Sequence, residues 1–392
     1  PPYLRPGKVS EAWGMWTNKY FGTDEFIQFC RDLRVEPLIC VNAGSGTPEE
    51  AARWVEYCNG SVQTPLGALR AENGHPEPYN VRYWEIGNEM YGSHQIGHRP
   101  VEEFAKLSAD FAKAMKAVDP TIKLLGCGDR NMEWNRSLLE IAGEHLDYLT
   151  LHIYHGYNWL GLTKDAPSEQ LYGGMVAFGE VAKHALDNTR KLLASDPRYQ
   201  QIKLAITEWN TMYFPAQVRE GFPNEHSLEA AIANASALNE FLRQCDLVEI
   251  GSFSDLVNGW LGGCIRVGDN YADQRGGKTP GWAGRELTIY GTPTYYVLQN
   301  YANRRIDYLV ANSVDCGTLE VTAPRLLEIT GSKELALKLL DVVTCINKDE
   351  NRLTVFVVNR SCEDQAVTIS LQGFKATGPL KAWVVTGSDL RD

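Results

Sequence analysis

Strand-like and helix-like runs alternate over about the first 300 of the 392 residues, and this alternation restricts the fold more than any other feature. Thr23 to Arg34 puts Phe26, Phe29, Cys30 and Leu33 on one helical stripe. Pro37 to Asn42 is short and apolar, the mark of a buried strand. Thr47-Pro48-Glu49-Glu50 then opens a helix: Thr47 caps it, Pro48 takes its first turn and Glu50 completes a capping box. Further strands are predicted up to Glu89 and over 123–126, 148–154, 204–208 and 249–257. Helices are predicted over 101–118, 131–142, 171–194, 228–244 and 294–304. Apolar strands separated by helices imply an α/β fold with a parallel sheet. A doubly wound sheet and a barrel both satisfy the pattern. Chemistry-bearing residues recurring at strand ends favour the (β/α)8 TIM barrel.

The strands end near Asn42, Glu89, Gly126, Tyr154, Glu208 and Val257. That is two fewer than a closed barrel of about eight strands, so two βα units are expected ahead of Pro1. The opening Pro1-Pro2-Tyr3-Leu4-Arg5-Pro6 has no Met and reads as the middle of a loop, with any signal peptide expected further upstream. From Ile306 the pattern becomes β-rich, with strands expected over 353–359 and 366–371 and a hairpin turn at Lys348-Asp349-Glu350-Asn351. Residues 335–340 have helical propensity within this β-rich part. The expected division is a barrel domain over 1–305 and a C-terminal β-sandwich over 306–392.

Hydrophobic residues make up 44% and charged residues 22%, a globular balance, and no apolar run reaches the ~18 residues of a membrane span. A net charge of −11 argues against nucleic acid and suits a neutral substrate. The nine cysteines form no C-x-x-C pair and read as reduced thiols, with Cys40 and Cys127 acting as small hydrophobes in strand runs. That usage favours the cytoplasm over secretion.

Two glutamates close β-like runs, each with an aromatic close behind: Glu89, followed by Met90-Tyr91, and Glu208, followed by Trp209. Paired carboxylates from separate strand ends are what acid/base-assisted glycoside cleavage requires, one protonated and one ionised. Gly87 lets the backbone approach closely, and Asn88 offers an amide to a sugar hydroxyl. The bland alternative is a pair of carboxylates bound in salt bridges.

Trp84-Glu85-Ile86-Gly87-Asn88-Glu89-Met90-Tyr91-Gly92 and Ile206-Thr207-Glu208-Trp209-Asn210 resemble the two signature regions of glycoside hydrolase family 51, mainly α-L-arabinofuranosidases. The resemblance continues through Ala12-Trp13, Phe21 to Phe26, Val41 to Thr47, Leu151 to Tyr154 and Leu256-Val257-Asn258, and covers the whole chain. It implies a retaining enzyme that releases terminal α-L-arabinofuranosyl residues from hemicellulose or pectin side chains. It further implies Glu89 as general acid/base with a raised pKa and Glu208 as an ionised nucleophile ~5–5.5 Å away. The same resemblance makes Asn88 a partner of the sugar 2-hydroxyl and Tyr154 the residue that positions the nucleophile, with His152 beside it. It makes Trp13 an aromatic wall, and it brings Asn42, Trp209 and Asp255 to the substrate. Asp255 stands where the family commonly has an amide, and Met212 where an aromatic is common. The family's Gly-Gly-Asn stretch and upstream acidic residue are absent from this chain. Family members often form homo-oligomers.

Two rivals stay open: another retaining glycosidase on this scaffold, such as an endo-glucanase or β-xylosidase, and a non-catalytic carbohydrate-binding fragment. No cofactor or metal is expected. His152 and His155 sit three apart on a strand and so face opposite ways, with His145 only nearby in sequence. Gly44-Ser45-Gly46 lacks the third glycine of a dinucleotide loop and reads as a tight turn ahead of Thr47.

Overall fold

The computed structural model describes residues 7–10, 14, 16–17, 20–163, 165–213, 226–257, 263–267 and 289–390. Trp13 and Asn258 lie outside them. The elements, in chain order, begin with β1 (Lys8–Val9), β2 (Trp16–Thr17), α1 (Thr23–Leu33), β3 (Leu38–Val41), α2 (Pro48–Asn59), α3 (Pro65–Glu72) and β4 (Tyr83–Ile86). Next come α4 (Val101–Val118), β5 (Lys123–Gly126), α5 (Met132–Ala142), β6 (Tyr148–Gly156), α6 (Ser168–Val176), α7 (Phe178–Ala194) and β7 (Lys203–Met212). Then follow α8 (Leu228–Arg243), β8 (Val248–Phe253), β9 (Ile265–Val267), β10 (Ile289–Gly291) and α9 (Pro293–Ala302). The last are β11 (Tyr308–Val310), β12 (Thr318–Val321), α10 (Pro324–Thr330), β13 (Leu335–Lys338), β14 (Leu340–Ile346) and β15 (Leu353–Asn359).

The main sheet has the order β3-β4-β5-β6-β7-β8. Its order never reverses, as in a (β/α)8 barrel and unlike a doubly wound sheet. These are the six strands read from the sequence, and β3 to β6 pair in parallel. By internal contacts the chain forms two units, 1–152 with 188–206, and 153–187 with 207–392.

In the first unit the helices form where the local signals lie. Thr47 Oγ1 accepts from Glu50 N at 3.2 Å while Glu50 Oε2 accepts from Thr47 N at 3.0 Å, the capping box expected for α2. Asn131 caps α5 by accepting from Glu133 N. On α4 the buried residues Phe104, Ala105, Ser108, Phe111, Ala112 and Met115 make one stripe, which packs toward α2 and α5. Trp84 of β4 is fully buried, with Trp54 of α2 edge-on at 6.0 Å. The sequence reading missed α3. Thr64 caps it, and the buried Arg70 guanidinium donates to the carbonyls of Tyr57, Gly60, His75 and Pro76, so a full charge is satisfied by backbone alone. Cys127 is buried as expected, but Cys40 is exposed in this structure.

In the second unit the predicted helix over 171–194 is two, α6 and α7, interrupted at Ala177. The Gly173-Gly174 pair weakens α6 a turn before that break. The β-rich C-terminal part holds the antiparallel sheet β11-β14-β15 and the hairpin β12-β13, as a β-sandwich domain requires. The turn at 348–351 joins β14 to β15. Two expectations are corrected: 335–340 is strand rather than helix, and 366–371 forms no strand. Leu335 to Lys338 pairs residue by residue with β12, and cross-strand bonding overrides weak helical propensity. Asp341 of β14 accepts from Arg360 at 2.6 Å and from Arg243 of α8, while Tyr301 of α9 stacks on Phe356 of β15 at 4.1 Å.

Glu229, in the first turn of α8, is buried and accepts from the hydroxyls of Tyr157 and Tyr213, both at 2.8 Å. Burial pushes its carboxyl up to about 7 despite those two bonds. An acid with a raised folded-state pKa keeps its proton after the unfolded chain has lost it. Stability therefore falls as pH rises from about 4.5 to about 7, by on the order of 3 kcal/mol. Glu229→Gln keeps an acceptor for the tyrosines and cannot ionise. Urea unfolding of both proteins at pH 5 and pH 8 should show the variant losing less stability across that interval; equal losses would contradict the assignment.

Candidate active site

β4 ends at Ile86, and Gly87 follows with φ +75°. A Cβ there would stand 2.7 Å from Met90 Cγ and 3.0 Å from Ala43 Cβ, so any other residue would be strained both by these neighbours and by the backbone. Glu89 itself has φ +49°, a left-handed conformation rare outside glycine. Strained non-glycine residues of this kind concentrate at functional positions.

The Glu89 carboxylate is held at both oxygens. Oε1 lies 2.8 Å from His152 Nδ1 on β6 and accepts from the Tyr91 hydroxyl at 3.3 Å. Oε2 lies 2.8 Å from His94 Nε2. Burial raises the Glu89 pKa, but hydrogen bonds and charge from His152 and His94 outweigh it and hold the carboxyl at about 2. This runs against the raised value that the resemblance implies, and the physical reason is the pair of imidazoles at its oxygens. Asn88 is half-buried, and among the described residues no hydrogen bond occupies its amide. Asn42, expected at the substrate, spends its side chain on the turn before α2. Its Oδ1 accepts from the backbone N–H groups of Gly44 and Ser45, and its Nδ2 donates to Ser45 Oγ.

Glu208 lies within β7, which runs on to Met212, rather than at the strand's end. Its Oε2 accepts from the Tyr154 hydroxyl at 2.5 Å, and the same hydroxyl meets Ser254 Oγ at 2.6 Å. Burial, then the neighbouring charges of Glu208 and Asp255, push the Tyr154 pKa well above its ordinary value. The phenol therefore stays protonated and remains a donor to the carboxylate. Asn210 ties β7 to the segment after β8 by donating to Ser254 O at 3.1 Å. Asp255 follows with φ +63° and is half-buried.

Trp209 is a correction. It is 1% exposed, with Phe241 and Phe253 edge-on at 5.3 and 5.0 Å, and belongs to the core. Successive strand residues face opposite ways, so the residue after Glu208 points away from the face Glu208 serves. His155 is also core: its Nε2 meets Gly174 O at 2.8 Å, and its ring stacks on Phe178. Glu89 and His152 both carry metal-ligating atoms, but they are bonded to each other at hydrogen-bond distance. The sequence reading missed His94, Tyr91 and Ser254. His94 had a usable signal, an imidazole five residues beyond a suspected acid/base on the same turn-rich segment.

Comparison with known proteins gives a consistent result. Residues 1–168 match the family model described as the α-L-arabinofuranosidase 1 domain, and residues 207–392 match the α-L-arabinofuranosidase C-terminal domain. The α-L-arabinofuranosidase of Thermotoga maritima, solved with arabinose, aligns with TM-score 0.74 and 30% identity over 92% of this chain and 68% of that one. A probable α-L-arabinofuranosidase C of Aspergillus clavatus is 29% identical over 100% of this chain and 74% of its own length. The intracellular exo-α-(1→5)-L-arabinofuranosidase 1 of Bacillus subtilis is 26% identical over 96% of this chain and 72% of its own length.

Proposed function

The chain belongs to the α-L-arabinofuranosidases of glycoside hydrolase family 51, and from that membership we propose that it releases terminal α-L-arabinofuranosyl residues from arabinose-containing hemicellulose or pectin side chains, by double displacement with retention. The observation that carries the mechanism is the contrast between two carboxylates. Glu208 is bound by a phenol that only donates, which stabilises and orients an ionised nucleophile. Glu89 is bound at both oxygens by imidazole nitrogens, which can donate to it or accept from it, as an acid/base needs.

In the first step Glu208 attacks the anomeric carbon while Glu89 protonates the departing glycosidic oxygen. In the second, Glu89 takes a proton from the water that releases the covalent sugar. Asn88 bonds the 2-hydroxyl, Tyr154 and Ser254 hold Glu208, and His152 holds Glu89. The family resemblance gives Trp13 the role of an aromatic wall and brings Asp255 to the substrate. The barrel and sandwich divide at residue 305, no cofactor takes part, and the enzyme works in the cytoplasm. The name of the Bacillus subtilis relative supports that location and an exo mode of action. Among the described residues no helix is long and apolar enough to cross a membrane.

The test compares 4-nitrophenyl α-L-arabinofuranoside with 4-nitrophenyl β-D-xyloside and soluble β-glucan. Turnover on the arabinofuranoside should exceed the others by about 100-fold or more, since misplaced ring substituents leave polar groups unpaired in the pocket. With methanol as acceptor, proton NMR should show the methyl α-arabinofuranoside forming first. Preference for xyloside or glucan would refute the substrate, and a β product would refute retention.

A further inference from the structure

Both oxygens of Glu89 are occupied, yet a general acid must offer one of them to the leaving group. The two sides are unequal. His152, on Oε1, is 5% exposed and sits in the sheet, whereas His94, on Oε2, is 49% exposed. The leaving group, still attached to the rest of the polysaccharide, must approach from solvent and therefore at Oε2. The His94 ring occupies space beside Gly92 that a side chain there would take. A Cβ at Gly92 would stand 2.3 Å from His94 Cε1 and 2.7 Å from its Nδ1.

Resting on the acid/base reading above, we propose that His94 is the proton store of Glu89: its imidazolium occupies Oε2 in the free enzyme and hands that oxygen the proton that Glu89 then passes to the leaving group. The N–H bond at Nε2 breaks, its electron pair staying on the imidazole, and an O–H bond forms at Oε2. The neutral ring turns toward solvent and the glycosidic oxygen takes its place. That oxygen receives the proton as the bond to the anomeric carbon breaks. When water attacks the covalent sugar, its proton goes to Glu89 and returns to the imidazole, so the cycle closes without net gain or loss. The store is needed because Glu89, ionised by its two imidazoles, carries no proton of its own near neutral pH.

The other titratable groups facing Glu89 do not substitute for His94. Cys127, beyond β5, has its thiol pushed up by burial and stays protonated. Tyr91 donates to Oε1, and His152 is enclosed. His98 is turned to Met90 O. Glu208 is engaged by the Tyr154 hydroxyl. His94 is thus a positioning and proton-holding residue, not one that touches the reacting atoms.

The test uses His94→Gln, which keeps a donor but cannot carry a proton, and Gly92→Ala, which displaces the ring and keeps the histidine. Values of kcat/KM are measured on a methyl arabinofuranoside, whose leaving group needs protonation, and on a 2,4-dinitrophenyl arabinofuranoside, whose leaving group does not. In both variants the ratio of activated to unactivated substrate should rise about tenfold. The alkaline limb on the methyl glycoside should move to lower pH, because the group that kept the last proton at higher pH is gone. An unchanged ratio and an unchanged limb would overturn the proposal, since a merely structural role lowers both substrates together. A Glu89→Ala enzyme that treats both leaving groups alike would instead remove the acid/base reading itself.

Discussion

Glu208→Gly should lower turnover of an aryl α-L-arabinofuranoside by at least about 10⁴-fold, because no other group replaces the attacking carboxylate. Sodium azide should restore part of the activity. Azide is small enough for the space the side chain leaves and attacks the same face of the sugar, so the product is the β-arabinofuranosyl azide, inverted relative to substrate. The replacement leaves the Tyr154 hydroxyl with Ser254 Oγ as its remaining partner, and glycine weakens strand β7, so the thermal unfolding midpoint should fall. A folded Glu208→Gly protein with normal turnover, or one rescued to an α-azide, would refute the nucleophile assignment.

Glu89→Ala should behave differently with each leaving group. On a methyl or arabinosyl leaving group kcat/KM should fall by about 10²–10⁴-fold, the usual worth of general acid catalysis. A 2,4-dinitrophenolate leaves without a proton, so formation of the covalent intermediate should persist while its hydrolysis slows. The intermediate should then accumulate as a burst of dinitrophenolate. Azide needs no general base and enters from the face the leaving group vacated, giving the α-arabinofuranosyl azide. The two variants therefore yield opposite anomers. An interchange of anomers would interchange the two roles, and a uniform loss on all substrates would leave Glu89 a structural residue. Alanine keeps the Cβ that makes the left-handed backbone at 89 costly, and it removes the carboxylate that the buried His152 bonds, so the variant should also lose stability.

Much of the scaffold was legible because its signals are local. The Thr47 capping box, the apolar stripe of α4 and the turn at 348–351 each lie within a few residues of one another, and each formed where expected. The failures were failures of context. Residues 335–340 favour helix in isolation and became strand by pairing with β12. The one long helix expected over 171–194 is interrupted at Ala177, a turn after a Gly173-Gly174 pair whose effect depends on how the two helices pack. For the site, the motif named the members of two pairs that the structure bonds, His152 with Glu89 and Tyr154 with Glu208. It picked out Trp209 wrongly, because adjacency in a motif is not adjacency in space.

By itself the sequence determined most of the order of strands and helices in the main sheet and singled out the two carboxylates, since periodicity, caps and strand-end motifs act over short stretches of chain. Only the tertiary structure decided what those carboxylates are bonded to. His152 and Tyr154 lie far from Glu89 and Glu208 in sequence, and Ser254 reaches Tyr154 from beyond β8. A carboxylate's proton affinity depends on burial and on the charges within a few ångströms. The protonation state of Glu89, on which the proposed chemistry turns, therefore depends on folding, which brings two imidazoles to its two oxygens.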